Sequence, residues 1–514
     1  MDIRSVVLVA VAIAMTGGTV PLLAAINEPV PTEAGLVTGV PDRDSSITVY
    51  KGVPFAAPPV GELRWRAPQP PLPWQGVRKA EQFGSGCLQV QPQRDVSSGS
   101  EDCLFLNVWT GAAASTERRP VFVWIYGGRF TSGAGSDPLF DGEGLARKGL
   151  VAVTMNYRLG VMGFLATPEL SQESGHNASG NYGVLDQIAC LQWVKKNIAA
   201  FGGDPERVTI AGQSAGGASV LLLMSSPLAK GLYHRAIAES RARSLRATMQ
   251  NAERAGVKYA EAHGAHSLKE LRALSWDQLK DGNNGNDPEE GGPLFRPVVD
   301  GWVAPLNYRQ YYINGLPGNV PVLAGNNLDE SGAQPQPNAK LEQYLSAARQ
   351  KYGSMADEYL KLYPAASDAA ASVAQNAAAR DDSRAATFLL TTQGKQAAQG
   401  KVFTYFWTHA PPGPDRARRG AYHESEINYI FNNLYATNRP WADDDRKIAD
   451  TMSSYWANFA TTGNPNGQGL PAWPATVARS PVVMQVGNQW GLMPVAEKFR
   501  LDFFRRYYLT QGAW

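Results

Sequence analysis

Residues 201–216 read F-G-G-D-P-E-R-V-T-I-A-G-Q-S-A-G, and this stretch decides the fold. A β-branched run, Val208-Thr209-Ile210, leads into Gly212-Gln213-Ser214-Ala215-Gly216 and then into the apolar, helix-like residues 218–224. A serine between two glycines where a strand gives way to a helix is the pattern of a nucleophile elbow, G-x-S-x-G. The turn is tight and strained, so a β-carbon two positions to either side of Ser214 would collide with the neighbouring strand or helix. Ser214 would stand exposed at a helix N-terminus, where the dipole and free N–H groups favour developing negative charge. The stretch alone argues for an enzyme.

Outward from it the chain alternates. Apolar strands are expected at residues 121–125, 151–155, 208–210 and 320–323, separated by helical stretches, which predicts an α/β fold with a mostly parallel central sheet and helices on both faces. The Ala-rich and polar residues between 341 and 392 are expected to form surface helices, and residues 281–292 (D-G-N-N-G-N-D-P-E-E-G-G) read as a loop. Hydrophobic residues make up 44% of the 514 and aromatics 10%, enough for a large core and a deep pocket. A net charge of +2, with no basic run interleaved with aromatics, argues against nucleic acid as a partner. At the N-terminus, Arg4 precedes an apolar stretch over residues 6–15 and the small pair Ala24-Ala25. Residues 1–25 therefore read as a secretory signal peptide cleaved near Ala24 or Ala25, because about ten apolar residues fall short of the ~20 that span a bilayer. The expectation is a secreted or periplasmic protein without a membrane span after cleavage.

The motifs resemble a known family. The run of residues 201–216, with Phe-Gly-Gly ahead of the serine, is similar to the signature of type B carboxylesterases, the α/β-hydrolases that include cholinesterases. A second run about a hundred residues upstream, E-D-C-L-F-L-N-V-W at 101–109, resembles that family's other signature. Further similar segments are Y-K-G-V-P-F-A at 50–56, N-Y-R-L-G at 156–160, N-Y-G at 181–183, G-N-P-N at 463–466 and Trp473-Pro474, so the resemblance covers roughly residues 30–510. It implies an α/β-hydrolase fold with large insertions. Length alone, at ~150 residues per domain, would suggest about three domains; the resemblance implies one, over residues 26–514. It also implies a small-molecule ester as substrate and no metal or organic cofactor. The cysteine of E-D-C-L in this family pairs with one upstream, which implies a Cys87–Cys103 disulfide, worth about 3 kcal/mol in the chain-entropy model. Cys190, in a helical stretch, reads as a small buried thiol without a reactive role.

The nucleophile needs a base, and the base an orienting acid, both downstream of it in this fold. His423, in A-Y-H-E-S-E-I-N-Y-I-F at 421–431, resembles the family's catalytic histidine segment, with Glu426-Ile427 at the expected offset. Glu330, in G-N-N-L-D-E at 325–330 after a strand, resembles the segment whose glutamate orients that histidine. His409 follows an apolar strand without that context, His263 and His266 fall in a polar helical region, and His234 matches a non-catalytic family position. For the oxyanion, the resemblance implies backbone N–H groups from Ala215 and from Gly128 and Arg129 of Y-G-G-R-F at 126–130.

Two arginines depart from the family pattern. Arg129 stands where the family has Gly or Ala, and Ser240-Arg241 replaces the usual Ser-Gly near the acyl side. Arginine pairs bidentately with carboxylates, so one expectation is a substrate whose acyl part carries free carboxylates, such as a polycarboxylic ester of the fumonisin type or a monoester of an aromatic diacid. The other is that both arginines pair with protein acids, Glu424 among them. Residues 88–95, inside the loop that the implied disulfide closes, carry no aromatic for a quaternary ammonium, which argues against choline esters. The competing class on this fold is a non-catalytic adhesion or binding protein. Retention of Ser214, Glu330 and His423 argues against it.

Overall fold

The computed structural model describes residues 26, 28–90, 99–240, 247–283, 285–286, 294–306, 310, 319–333, 340–393 and 399–510. The expected signal peptide and Arg241 lie outside the described residues. In chain order the strands are β1 (Val30–Thr32), β2 (Gly35–Thr38), β3 (Val40–Pro41), β4 (Thr48–Pro54), β5 (Val77–Lys79), β6 (Phe105–Thr110), β7 (Arg119–Ile125), β8 (Val151–Met155), β9 (Gly203–Gln213), β10 (Arg235–Glu239), β11 (Val322–Asn327), β12 (Val402–Trp407), β13 (Val482–Val486) and β14 (Gly491–Pro494). The large sheet has the order β14-β13-β12-β11-β10-β9-β7-β8-β6-β4-β3, and β1, β2 and β5 form a small one. From β13 across to β8 every neighbouring pair is parallel; the antiparallel pairs sit at the two ends.

The parallel strands read as continuous apolar runs because both faces are covered. Every residue of β8 (VAVTM), β11 (VLAGNN) and β12 (VFTYFW) is buried. The helices that matter below are α1 (Tyr182–Asn197), α2 (Ala215–Ser225), α3 (Asp368–Thr392), α4 (Asp443–Thr462) and α5 (Lys498–Thr510). Thr209 of β9 reaches the Ala460 carbonyl of α4 (3.4 Å); by strand alternation its neighbours Val208 and Ile210 point to the opposite face.

The four expected strands all form. The expectation of surface helices over 341–392 holds only in part. Residues 385–391 of α3 (A-A-T-F-L-L-T) are buried, packed against β11 and β12. Its acidic pair is buried too, and it is matched: Asp381 bonds Tyr363 Oη (2.9 Å), Arg384 (2.6 Å) and Arg500 of α5 (3.1 Å), and Asp382 bonds Lys351 (3.0 Å). A polar sequence therefore hid a core helix, because its charges are neutralised by partners far along the chain.

Cys87 and Cys103 form the expected disulfide. Cys190 on α1 is free and buried, and burial pushes its thiol well above the ordinary range, which leaves it unreactive.

Candidate active site

The turn at residue 214 has the geometry read from the sequence. β9 ends at Gln213, α2 begins at Ala215, and between them Ser214 takes φ 59°, ψ −119°, a conformation rarely adopted by a residue with a side chain. The glycines make this approach possible. A β-carbon on Gly212 would lie 2.6 Å from the Ile125 carbonyl oxygen and 2.7 Å from that of Gly216, and one on Gly216 would overlap the Ile125 carbonyl outright. The Ser214 N–H is tied to the Glu239 carbonyl on β10 (3.0 Å), which fixes the turn against the sheet.

Glu330 and His423 arrive on two loops stitched to each other. Beyond β11, Asp329 N–H donates to the Ala421 carbonyl (3.0 Å), and the Ala421 N–H donates back to the Asp329 carboxylate (2.9 Å). Asn327 Nδ2 donates to the Tyr422 carbonyl (2.7 Å), and Arg380 of α3 pairs with the other Asp329 oxygen at 2.5 Å. Gly420 sits so close to the Asp329 carboxylate that a β-carbon there would overlap it. This stitching delivers Glu330 and His423 to one place: Glu330 Oε1 accepts the Asn327 N–H (2.9 Å) and Oε2 accepts from His423 Nδ1 in a short hydrogen bond.

Burial alone would raise the Glu330 carboxyl. The hydrogen bond and charge of His423, with the Asn327 N–H, outweigh it and hold the group below its ordinary range. For His423, burial favours the neutral ring, but the bond and charge of Glu330, then the charges of Glu426 and Glu424, win and raise it above the ordinary imidazole value.

On its other side, His423 Nε2 lies 3.3 Å from the side-chain Nε2 of Gln213, a buried residue. The hydroxyl of Ser214 makes no hydrogen bond to any described residue. The backbone N–H groups of Gly128, Arg129 and Ala215 likewise donate to no described residue. Gly128, at φ 92°, packs so that a β-carbon would overlap the Ser132 carbonyl. Arg129 and Phe130 are both left-handed (φ 59° and 65°). The Arg129 side chain is exposed and donates from Nη2 to Oδ1 of Asn286 (2.8 Å), a neutral partner on the loop read at 281–292.

Of the five other histidines, His176 stacks on Trp302 with ring centroids 3.9 Å apart, and three more make hydrogen bonds away from this site. His409 bonds Asp445 (2.8 Å) and Asn488 (2.6 Å), His234 Nδ1 accepts the Val208 N–H (3.2 Å), and His263 bonds the Tyr259 carbonyl (2.7 Å). His266 is exposed.

Two buried carboxyls behind this site were not singled out as functional from the sequence. Glu239, the last residue of β10, accepts from Trp456 Nε1 of α4 (2.7 Å), and its other oxygen has no hydrogen bond. Glu426 accepts from Asn327 Nδ2 through one oxygen, and its second is also unpartnered. Burial, and then each other's charge for Glu239 and the Glu330 charge for Glu426, push both above the carboxylate range. For Glu239 the signal was an acidic residue closing an apolar strand; for Glu426 it was only the offset from His423. Raised carboxyls favour the protonated folded state. Their stabilising effect is complete below the ordinary carboxylate range and is lost as pH climbs through the raised values. Glu239→Gln is therefore expected to leave stability near pH 5 little changed and to add about 2 kcal/mol at pH 8, read from denaturant midpoints at the two pH values; equal shifts at both would show that Glu239 is not protonated on folding.

The sequence profile of the carboxylesterase family matches residues 27–503. The chain belongs to the carboxylesterase family. It is 36% identical over 504 residues to fumonisin B1 esterase of Sphingopyxis macrogoltabida, covering 93% of this chain and 91% of that protein. It is 34% identical over 466 residues to para-nitrobenzyl esterase of Bacillus subtilis, covering 87% and 92%. A solved PNB esterase structure superposes with a TM-score of 0.77 at 30% identity, covering 93% of this chain and 100% of the other. This carboxylesterase thus has the α/β-hydrolase fold and is an enzyme that hydrolyses carboxylic esters. Among the described residues, no helix is long and apolar enough to cross a membrane.

Proposed function

We propose that this carboxylesterase is a serine hydrolase working through an acyl-enzyme, with Ser214, His423 and Glu330 as its triad, and that it prefers esters whose acyl part carries a free carboxylate. Ser214 Oγ attacks the ester carbonyl carbon while His423 Nε2 takes its proton. The tetrahedral oxyanion is held by the N–H groups of Gly128, Arg129 and Ala215, each worth about 3 kcal/mol. When the carbon–oxygen bond to the alcohol breaks, His423 returns the proton to the leaving oxygen, and a water then repeats the sequence on the acyl-enzyme to release the acid. Glu330 holds the ring in the tautomer that keeps Nε2 free and stabilises it when charged.

The preference rests on one observation: the Arg129 guanidinium stands at the oxyanion loop against a neutral amide and is neutralised by no described carboxylate. A substrate carboxylate would supply the missing charge. The likeness to fumonisin B1 esterase supports the same class, a polycarboxylic ester of the fumonisin type. Arg241 joins the proposal through its place in the sequence, directly after Ser240 at the end of β10. The expected export of the enzyme, secreted or periplasmic, belongs to the same reading and is tested by N-terminal sequencing of material recovered outside the cytoplasm.

The test uses paired esters of one alcohol, with one acyl chain neutral and the other ending in a carboxylate. The wild type is expected to favour the anionic ester. Arg129→Ala should raise its KM about tenfold while leaving the neutral ester unchanged, the scale of one charge-assisted pair; Arg241→Gly should act in the same direction. Equal effects on both esters would reject the preference while leaving the esterase assignment in place.

A further inference from the structure

The residue before the nucleophile is not a spectator. Gln213 is buried at the end of β9, yet its side chain is turned toward His423 and places Nε2 within 3.3 Å of His423 Nε2, the nitrogen that must accept the serine proton. The amide oxygen faces the other way, toward the Gly127 backbone, where a β-carbon would lie 3.4 Å from it. The opposite ring nitrogen is bonded to Glu330. With a carboxylate at Nδ1, that nitrogen carries the hydrogen; an amide N–H pointing at Nε2 then finds a lone pair, so the two contacts select one neutral tautomer.

We propose that Gln213 is a positioning residue that caps the base: its amide donates to His423 Nε2 in the free enzyme, stabilises the neutral ring, and gives way to Ser214 when substrate enters. The proposal rests on the reading of Ser214 and His423 as nucleophile and base. The charged groups facing His423 are Glu330 from the loop after β11 and Glu424 and Glu426 from its own segment, and all three favour the imidazolium. Gln213, on the strand that delivers the nucleophile, faces it with an uncharged donor that opposes them. A group that hydrogen-bonds only the neutral form lowers the pH at which the base becomes available. The cap thus sets the acid limb lower than the carboxylate-rich surroundings would, and flattens the rate over the pH range above it.

The experiment is the pH profile of kcat/KM on a neutral ester for wild type, Gln213→Met and Gln213→Glu, with active sites counted by a serine-directed organophosphate. Methionine keeps the bulk and loses the donor; glutamate keeps the shape and replaces the donor with an acceptor that favours the charged ring. Both acid limbs are expected to move to higher pH, by about one unit for Met and further for Glu, while the Met rates well below the limb match wild type, because capped and uncapped enzyme start there from the same protonated ring. At the high-pH plateau the Met variant should exceed wild type by the same factor, about tenfold, because the cap no longer has to be released. An unchanged limb in Gln213→Met, or one displaced toward acid because the amide presents its oxygen to the ring, overturns the cap. Failure of the organophosphate to label wild-type Ser214 would overturn the triad itself, so the two failures are told apart.

Discussion

Ser214→Ala is expected to lower kcat on every ester this enzyme turns over by about 10⁶, the loss seen when a triad nucleophile is removed from comparable sites. Ser214 is the residue held at the head of α2 in the strained conformation. In the proposed mechanism, without Oγ no acyl-enzyme bond can form, and His423 has no hydroxyl proton to take. Activity should not fall to that of water, because backbone donors and binding still stabilise the transition state, leaving about 10³–10⁴ over the uncatalysed rate. Folding should be untouched, since alanine retains the Cβ and the backbone bond from residue 214 to the Glu239 carbonyl. Steady-state rates, loss of organophosphate labelling and an unchanged denaturant midpoint check the three parts of this expectation. Substantial residual turnover would mean that another residue supplies the nucleophile.

Glu330→Gln is expected to cost about 10⁴ in kcat, as loss of the orienting charge does in other triads. The effect is traceable atom by atom. Oε1 accepts the Asn327 N–H and Oε2 accepts from His423 Nδ1. A glutamine that keeps its oxygen on Asn327 must turn its amide N–H toward Nδ1. The ring then carries its hydrogen on Nε2, the nitrogen needed as base. Turning the amide around instead would face two N–H donors at Asn327, a clash of polarity inside the stitched loops. Raising the pH should not restore the rate, because the defect is one of tautomer rather than titration. Recovery at high pH would instead assign Glu330 a purely electrostatic role. The wild-type acid limb should lie above the ordinary imidazole value, the direction in which Glu330, Glu426 and Glu424 move His423.

The parts of this site carried by short contiguous motifs were legible in the sequence. Gly212 and Gly216 announce a turn that only glycine can make, and the order of Ser214, Glu330 and His423 follows from the resemblance. What was not legible depends on contacts between distant segments. Nothing in the sequence brings Gln213 to a histidine 210 residues away, and Glu239 gave no sign that Glu426 would share its buried space. The polar stretch of α3 misled for the same reason, since Arg500 and Lys351, which neutralise its acids, are visible only once the chain is folded. Arg129 was singled out as unusual, but its partner Asn286 lay in a loop that composition alone could not dock.

The bonds between Asp329 and Ala421, and between Asn327 and Tyr422, turn two loops far apart in the chain into one cartridge. Ser214 comes from a separate element, the turn between β9 and α2. Alignment of the reactive parts therefore reduces to docking two prefabricated units against one sheet.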